Sequence, residues 1–260
     1  MSEPLTSVAA PRTVIVGASS GVGRALARRL AAAGHDLVIA GRDRSELEVT
    51  ARDIVFRHRR RCEVLCVDIA DPAWDAEAFV GACLDRLAGR VDHLFIPAGG
   101  ARADDRGPNP AVVAEITALN FVGPGRLGAG FARAMESAGG GSIMFFSSIA
   151  AAAPRGENSV YSAAKAALDV YAAGLRHALD GRGVRVISVT LGYVDTPQSF
   201  GMQLALPVSS PEAIAERLLK LSLGPAGSYH LPRFWWLVTT TLRALPRPVY
   251  RRLFRGRHSS

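Results

Sequence analysis

Thr13-Val14-Ile15-Val16-Gly17-Ala18-Ser19-Ser20-Gly21-Val22-Gly23 is the stretch that decides the fold. Residues 13–16 predict a short buried strand, and a helical pattern begins directly after the last glycine. A glycine-rich turn between a strand and a helix lets the backbone approach a pyrophosphate, while free amides and the helix dipole face the anion. The spacing differs from Gly-x-Gly-x-x-Gly, and a flexible turn would have the same composition. With that alternative open, the stretch predicts a dinucleotide site.

Strand-like and helical segments alternate along most of the chain, which predicts a parallel sheet with helices on both faces. The 260 residues, 48% of them hydrophobic, suffice for one doubly wound α/β domain with a large core. No internal repeat is visible. We expect a disordered lead-in over residues 1–11 and one domain over residues 12–232. Seven strands are expected, near residues 13–16, 36–40, 63–68, 91–96, 142–147, 184–190 and 228–231.

Tyr161-Ser162-Ala163-Ala164-Lys165 is the second informative motif. Four positions apart on a helix, Tyr161 and Lys165 share a face, so the ammonium favours the ionised phenol. Ser148 ends a strand-like run and can hold a substrate oxygen beside that phenol. A surface tyrosine with a solvated lysine would look the same in isolation. Together with the glycine turn, the motif predicts a site that reduces carbonyls or oxidises alcohols.

The two motifs together resemble the short-chain dehydrogenase/reductase family, and the resemblance runs from about residue 13 to residue 230. It implies a Rossmann fold and an NAD(P)-dependent oxidoreductase with the tetrad Asn120, Ser148, Tyr161 and Lys165. By this resemblance Tyr161 donates or accepts the proton, and Lys165 also holds the nicotinamide ribose. Ser148 orients the carbonyl, and Asn120 anchors a water of the proton relay. Capping of a helix is the alternative role for Asn120.

The resemblance also implies a set of cofactor contacts, with two departures from the family pattern. Pro97-Ala98-Gly99-Gly100 stands where Asn-Ala-Gly is usual, which predicts an altered cofactor wall. Leu191 replaces a proline, but Gly192 and Thr196 still fit the segment that touches the nicotinamide carboxamide. The predicted cofactor-binding residues are Gly17, Ser19, Ser20, Gly21, Val22, Gly23, Arg42, Asp68, Ile69, Ala98, Gly99, Tyr161, Lys165, Gly192, Val194 and Thr196.

Gly41-Arg42-Asp43-Arg44 follows the second predicted strand and bears on the choice of cofactor. An acidic residue at this place binds the ribose of NAD, whereas an arginine accepts the 2′-phosphate of NADP. Since guanidinium pairs with phosphate bidentately, Arg42 favours NADP(H). A solvated loop arginine is the alternative. Asp68 is expected either at the adenine or as a cap at the end of its strand.

Seven arginines follow Pro232 without an acidic residue among them, out of a net charge of +8 for the chain. Aromatic and aliphatic residues alternate with them at spacings of three and four, so residues 233–260 predict a basic amphipathic extension, interrupted by Pro246 and Pro248. Such a segment suits an anionic membrane surface and is too short and too charged to span a bilayer. Alternatively, residues 234–245 pack over the active-site mouth or at a dimer contact. The arginines are Arg233, Arg243, Arg247, Arg251, Arg252, Arg255 and Arg257.

The cysteines, the N-terminal sequence and the basic clusters limit the expected location and binding partners of the protein. Cys62 and Cys66 lie about 13 Å apart in a predicted strand, too far to form a disulfide, and Cys83 has no evident partner. With no secretory signal, a cytoplasmic protein is expected, with peripheral binding at the inner face of the membrane as an extension. No metal-ligand spacing is present. Nucleic acid is not expected, because the basic residues 57–61 decorate the end of a helix.

Three functions remain open on the sequence. The C-terminal pattern is similar to reductases of polyprenyl-phosphate-linked keto-pentoses, which work with a flavin oxidase, and this favours a lipid-linked ketone. A soluble reductase of a small or acyl-carrier-bound ketone is the second hypothesis. The third is a non-catalytic NADP(H)-binding sensor, against which the complete tetrad argues. The family resemblance also implies a homodimer or homotetramer.

Overall fold

The computed structural model describes residues 10–101, 109–153, 158–196, 207–246 and 248–250. Seven strands form one parallel sheet in the order β3-β2-β1-β4-β5-β6-β7. The strands are β1 Arg12–Val16, β2 Asp36–Gly41, β3 Cys62–Cys66, β4 His93–Ile96, β5 Gly141–Ser148, β6 Val184–Leu191 and β7 Gly227–Leu231. The strand order reverses between β1 and β4, and ligands of open α/β sheets bind in the crevice at such a point.

Helices cover both faces of the sheet. They are α1 Gly21–Ala32, α2 Arg44–His58, α3 Ala76–Arg86, α4 Pro110–Thr117, α5 Gly123–Ser137, α6 Ser159–Ala178, α7 Pro211–Leu223 and α8 Trp235–Ala244. Side chains of β1 alternate between two buried clusters: Val14 and Val16 pack with α3, α5 and α6, and Ile15 packs with α1, α2 and α7. This alternation is the period-two pattern of a strand buried on both faces.

The predicted α/β class, the doubly wound parallel sheet and all seven strands are confirmed. β3 ends at Cys66, earlier than the predicted residue 68, so Asp68 lies in the turn that follows. Most of the expected lead-in, residues 1–9, lies outside the described residues, and the Pro11 carbonyl accepts a hydrogen bond from the Asp36 amide. Arg247 and residues 251–260 of the predicted extension also lie outside them. Within the described ranges, no helix is both long and apolar enough to cross a membrane.

Candidate active site

The glycine turn connects β1 to α1 at the point where the strand order reverses. Gly17 has φ +106°, and a Cβ there would lie 2.5 Å from the Ala98 amide nitrogen after β4. A Cβ on Gly23 would lie 1.9 Å from the Gly17 carbonyl oxygen. Both contacts are closer than any side chain allows, so the two glycines are required for α1 to pack against the ends of β1 and β4.

The N-terminus of α1 is open to an anion. Ser20 precedes the helix without a side-chain hydrogen bond to it, and the first turn contains no acidic residue. Val22 is buried behind the turn. On the outer side, a Cβ on Gly21 would lie 3.0 Å from the Thr196 methyl carbon, which places the segment after β6 against the glycine turn. Backbone amides at a positive helix end, approached through glycines, fit a pyrophosphate.

Arg42 and Asp68 meet beyond the ends of β2 and β3. The Arg42 Nη1 atom lies 3.9 Å from Asp68 Oδ2, and 66% of the Arg42 side chain is exposed. Asp68 Oδ1 accepts a hydrogen bond from the Ala70 amide, so the carboxylate also orders the turn after β3. Ile69 is buried beside it. The alternative of a strand-end cap for Asp68 and that of a solvent-exposed Arg42 are therefore both compatible with the structure.

Asp43, the acidic residue nearest the end of β2, is engaged elsewhere. Its carboxylate accepts hydrogen bonds from the Glu46 amide at 3.1 Å and from the Ser45 hydroxyl at 2.7 Å, and so caps α2. On the same edge, a Cβ on Gly41 would lie 3.5 Å from the Ser19 hydroxyl oxygen. Ser19 thereby lies against Gly41, the residue before Arg42, and the carboxylate after β2 is engaged at the start of α2.

Asn120 is fully buried in a π-helical turn, residues 118–122, between α4 and α5. Its side-chain amide donates to the Ile116 and Gly100 carbonyls, both at 2.9 Å, and its Oδ1 atom accepts from the Gly100 amide at 3.1 Å. The capping alternative is wrong, because Asn120 lies inside a continuous helical segment and bonds to the loop after β4. Single π-turns within helices often mark functional sites.

Lys165 lies at the centre of the site. Its Nζ atom donates to the Phe146 carbonyl at 2.9 Å and lies 5.8 Å from the centre of the Tyr161 ring. A Cβ on Gly99 would lie 2.9 Å from both Lys165 Nζ and Asn120 Oδ1, so only glycine fits between them. Burial lowers the pKa of the ammonium to about 8, against the opposing effect of the Asp169 charge.

Ser148 and Tyr161 enter the site from different elements. Ser148 is the last residue of β5, and its Oγ atom accepts from the Ala150 amide at 3.2 Å. Tyr161 lies in the first turn of α6, one turn before Lys165. Lys165 contacts the Tyr161 ring and also bonds to β5 at Phe146, two residues before Ser148. The tyrosine and the serine therefore both lie near the same ammonium. All four predicted tetrad residues thus lie at the carboxyl edge of β4 and β5.

Asp169 is a neighbour of this site that sequence reasoning missed. It lies one turn after Lys165 on α6, and its two oxygens accept from the Ser147 hydroxyl at 2.7 Å and the Ser188 hydroxyl at 2.8 Å. The carboxylate therefore fastens α6 to β5 and β6 below the lysine. Its four-residue spacing from Lys165 was the available signal. No group of three acidic, histidine or cysteine side chains able to hold a metal occurs in the described ranges.

The segment after β6 lies between the glycine turn and α8. The Gly192 amide donates to the Leu231 carbonyl at 2.9 Å, and Val194 is buried in a bridge to Ser209. Trp235, the first residue of α8, packs directly on Gly192. One face of α8 therefore packs near the active site, as one of the alternatives for residues 234–245 expects. On the other face, Trp236 and Leu237 are 60% and 63% exposed.

Comparisons with known proteins agree on the family. The family model described as short chain dehydrogenase matches residues 12–202. An uncharacterized oxidoreductase of Streptomyces coelicolor is 34% identical over 251 residues, which cover 94% of this chain and 96% of that protein. A putative ketoacyl reductase of the granaticin polyketide synthase from Streptomyces violaceoruber is 29% identical, over 82% of this chain and 89% of that protein.

The fold has a similar solved structure, a short-chain dehydrogenase from Sphingobium yanoikuyae in complex with NADPH. The two superpose with a TM-score of 0.77 at 26% identity, and the match covers 96% of this chain and 98% of that one. The family match extends over most of the sheet and includes the glycine turn and the four predicted tetrad residues. This chain therefore belongs to the short-chain dehydrogenase/reductase family and is an oxidoreductase.

Proposed function

We propose that the chain is an NADP(H)-dependent ketoreductase that interconverts a ketone and a secondary alcohol. The position of Lys165 carries this proposal. Its buried ammonium lies against the Tyr161 ring, beside Asn120 across Gly99, and is fixed to the strand that ends in Ser148. A positive charge held in this position favours a phenolate, so Tyr161 can exchange a proton with a substrate oxygen.

Each side chain then has a separate task. The nicotinamide, when bound, supplies or accepts the hydride. Tyr161 gives a proton to the forming alkoxide, or takes one from an alcohol. Ser148 holds the same oxygen in place with its hydroxyl. Lys165 supports the charge on the phenol and holds the ribose, and Asn120 anchors a water between the lysine and the bulk solvent.

The side chains beyond the ends of β2 and β3 favour NADP(H) over NAD(H). Asp43 caps α2, so its carboxylate is not directed to a ribose 2′-hydroxyl. Arg42 is exposed at the same edge, where its guanidinium can pair with a 2′-phosphate. The similar Sphingobium enzyme was solved with NADPH, which supports the same choice.

A membrane-associated, lipid-linked ketone, such as a keto-sugar, is the substrate class that we favour. The observation behind it is the exposed face of α8, where Trp236 and Leu237 are exposed to solvent near the site and are followed by six of the seven arginines of the basic extension. The protein would then be cytoplasmic and bound at the inner face of the membrane, as a homodimer or homotetramer, with a flavin oxidase as a partner that makes the ketone.

A soluble reductase of an acyl-carrier-bound ketone is the second candidate, and the similarity to a putative ketoacyl reductase favours it. The two candidate substrates differ in the group to which the ketone is attached, a lipid or an acyl carrier. The chemistry at the active site is the same for both. A sensor that only binds NADP(H) is disfavoured, because it would not need the Lys165–Tyr161 arrangement.

The test is a screen of lipid-linked and soluble ketones in which the absorbance of NADPH measures turnover. Tyr161→Phe is the matched inactive variant. If Tyr161 supplies the proton, turnover should fall by roughly 10²-fold or more, the usual scale for a lost general acid, while NADPH affinity stays within about twofold. Near-normal turnover by the variant on an accepted ketone would reject the proposal.

A further inference from the structure

The indole of Trp235 occupies the space that a side chain at residue 192 would need. A Cβ on Gly192 would lie 1.9 Å from the indole Nε1 atom, 2.4 Å from Cδ1 and 2.5 Å from Cε2. Real Cβ atoms do not approach heavy atoms so closely, so the glycine is required by the ring and not by its own backbone angles. Trp235 is 2% exposed, and even an alanine at residue 192 would displace it.

The indole is held from its other sides as well. The Tyr193 ring meets it edge-on, with 5.4 Å between ring centres, and Phe234 stacks on it at 5.1 Å. The Thr239 hydroxyl bonds to the Trp235 carbonyl at 2.9 Å and lies 3.2 Å from the His230 Nε2 atom of β7. The first turn of α8 is therefore fixed to the sheet, and the orientation of the indole is fixed with it.

Gly192 begins a segment that connects the two halves of the proposed site. Its neighbour Leu191 is paired in the sheet with Ser148 of β5, so Gly192 stands beside the predicted catalytic serine. Four residues later, the Thr196 methyl lies against Gly21 of the glycine turn. In between, the Asp195 amide donates to the Ser209 carbonyl at 2.9 Å. Residues 192–196 thus run from the reacting end to the pyrophosphate end.

The Trp235 Nε1 atom is buried and has no hydrogen-bond partner within the described ranges. A buried donor without an acceptor costs about 1–3 kcal/mol of stability. Proteins break such local rules mainly at functional sites, so the unpaired donor points to a role for Trp235 other than stability. The family model matches residues 12–202, so Trp235 lies outside the range of that match.

We propose that Trp235 is a positioning residue that sets the nicotinamide half of the cofactor site. Its ring takes the place of a side chain on Gly192 and holds residues 192–196 at the correct distance from Ser148 and Gly21. This inference rests on the proposed function. The adenosine half, at Arg42 and the ends of β2 and β3, lies on the opposite side of the strand reversal from β7, against which α8 packs.

The test compares Trp235→Ala with Trp236→Ala, a change at the next residue of the same helix, whose side chain is 60% exposed. Two ligands are titrated: NADPH, which fills both halves of the site, and adenosine 2′,5′-bisphosphate, which fills only the adenosine half. Trp235→Ala should weaken NADPH binding about tenfold or more, since an error of about 1 Å in a positioned group costs up to about 10²-fold. The affinity of this variant for the bisphosphate should stay within about twofold of that of the natural chain. Trp236→Ala should change neither affinity.

Gly192→Ala, and the double variant with Trp235→Ala, test the contact itself. Gly192→Ala alone should weaken NADPH binding as much as Trp235→Ala does. The double variant should be no weaker than either single one, because the new methyl enters the space left by the indole. Trp235→Phe keeps most of the ring and should bind NADPH within about threefold of the natural chain, with a fold as stable or more stable.

Four results would overturn the inference: normal NADPH affinity in Trp235→Ala, equal losses for NADPH and the bisphosphate, additive losses in the double variant, or a loss in Trp235→Phe as large as in Trp235→Ala. A natural chain that binds neither ligand would instead reject the NADP(H) assignment, and this inference with it. Circular dichroism shows whether each variant is folded.

Discussion

Lys165 carries a positive charge at a place where burial opposes it. Because the unfolded chain holds this proton up to its ordinary pKa of 10.5 and the folded chain releases it near pH 8, the charged lysine destabilises the fold below pH 8. That difference in pKa corresponds to a cost of about 3 kcal/mol in folding free energy, and the hydrogen bond to the Phe146 carbonyl reduces this cost. We therefore expect Lys165 to support catalysis and to lower the free energy of unfolding.

Lys165→Met should therefore be inactive and more stable. We expect turnover to fall by about 10²-fold or more and NADPH binding to weaken, because in the proposed function the lysine serves both the phenol and the ribose. At pH 7 the free energy of unfolding should rise by about 1–3 kcal/mol, and this gain should shrink between pH 8 and pH 10.5. Denaturant titrations at both ends of that range measure it.

The exposed Lys220 supplies the control, since Lys220→Met should change neither activity nor stability. A Lys165→Met variant that unfolds more easily than the natural chain at pH 7 would show that the charge is compensated in the fold.

We expect Arg42 to decide the choice between NADP(H) and NAD(H). Arg42→Ala should weaken NADPH binding by about tenfold or more, the loss of a charge-assisted pair of about 1.5–3 kcal/mol, and leave NADH binding nearly unchanged. Calorimetric titration with both cofactors measures this, with the exposed Arg52→Ala on α2 as the control. Equal losses for NADPH and NADH would make Arg42 a structural residue that orders Asp68.

At the scale of elements, the strands were the predictable part. β1, β5 and β6 are rich in apolar residues and have a glycine at one or both ends, and a strand buried on both faces needs an apolar composition. The position of Ser148, Tyr161 and Lys165 followed as well, because a strand end and one helical turn are local geometry. Bounds were less predictable: β3 stops at Cys66, where the chain turns to place Asp68 near Arg42.

Elements fixed by distant contacts could not be predicted. The π-turn that buries Asn120 depends on bonds to Gly100, twenty residues away in the chain. The sequence of α8 predicts an amphipathic helix but not which of its faces is buried. Trp235 and Trp236 are chemically alike, and only the space above Gly192 decides that the first is buried and the second is exposed.

For the whole molecule, the basic C-terminal extension predicts binding to a membrane surface. We expect the full chain to sediment with anionic vesicles at low salt and to be released by salt, because each arginine near the surface contributes on the order of 1 kcal/mol. A cut after Pro232 would also remove Trp235, so the informative truncation ends at Pro246 and removes five of the seven arginines. That variant should lose vesicle binding and keep its activity on a soluble ketone.

Two controls complete this experiment. Neutral vesicles should not bind the full chain, and a Trp236→Ser, Leu237→Ser variant should bind anionic vesicles more weakly with its turnover of soluble ketones unchanged. Equal sedimentation of the full and truncated chains at low salt would rule out a membrane role for the tail, and would favour the soluble reductase.

The contact between Gly192 and Trp235 has a consequence for how this branch of the family can diverge. The two residues are 43 positions apart, and the indole fills the space that a side chain at residue 192 would need, so Gly192 cannot be exchanged while Trp235 is kept. A lineage that acquires a side chain at the glycine must first lose the indole, and a lineage that acquires the indole must already have the glycine. Among descendants of a common ancestor, an indole at the position of Trp235 should therefore always occur together with the glycine, whereas the glycine can occur without the indole.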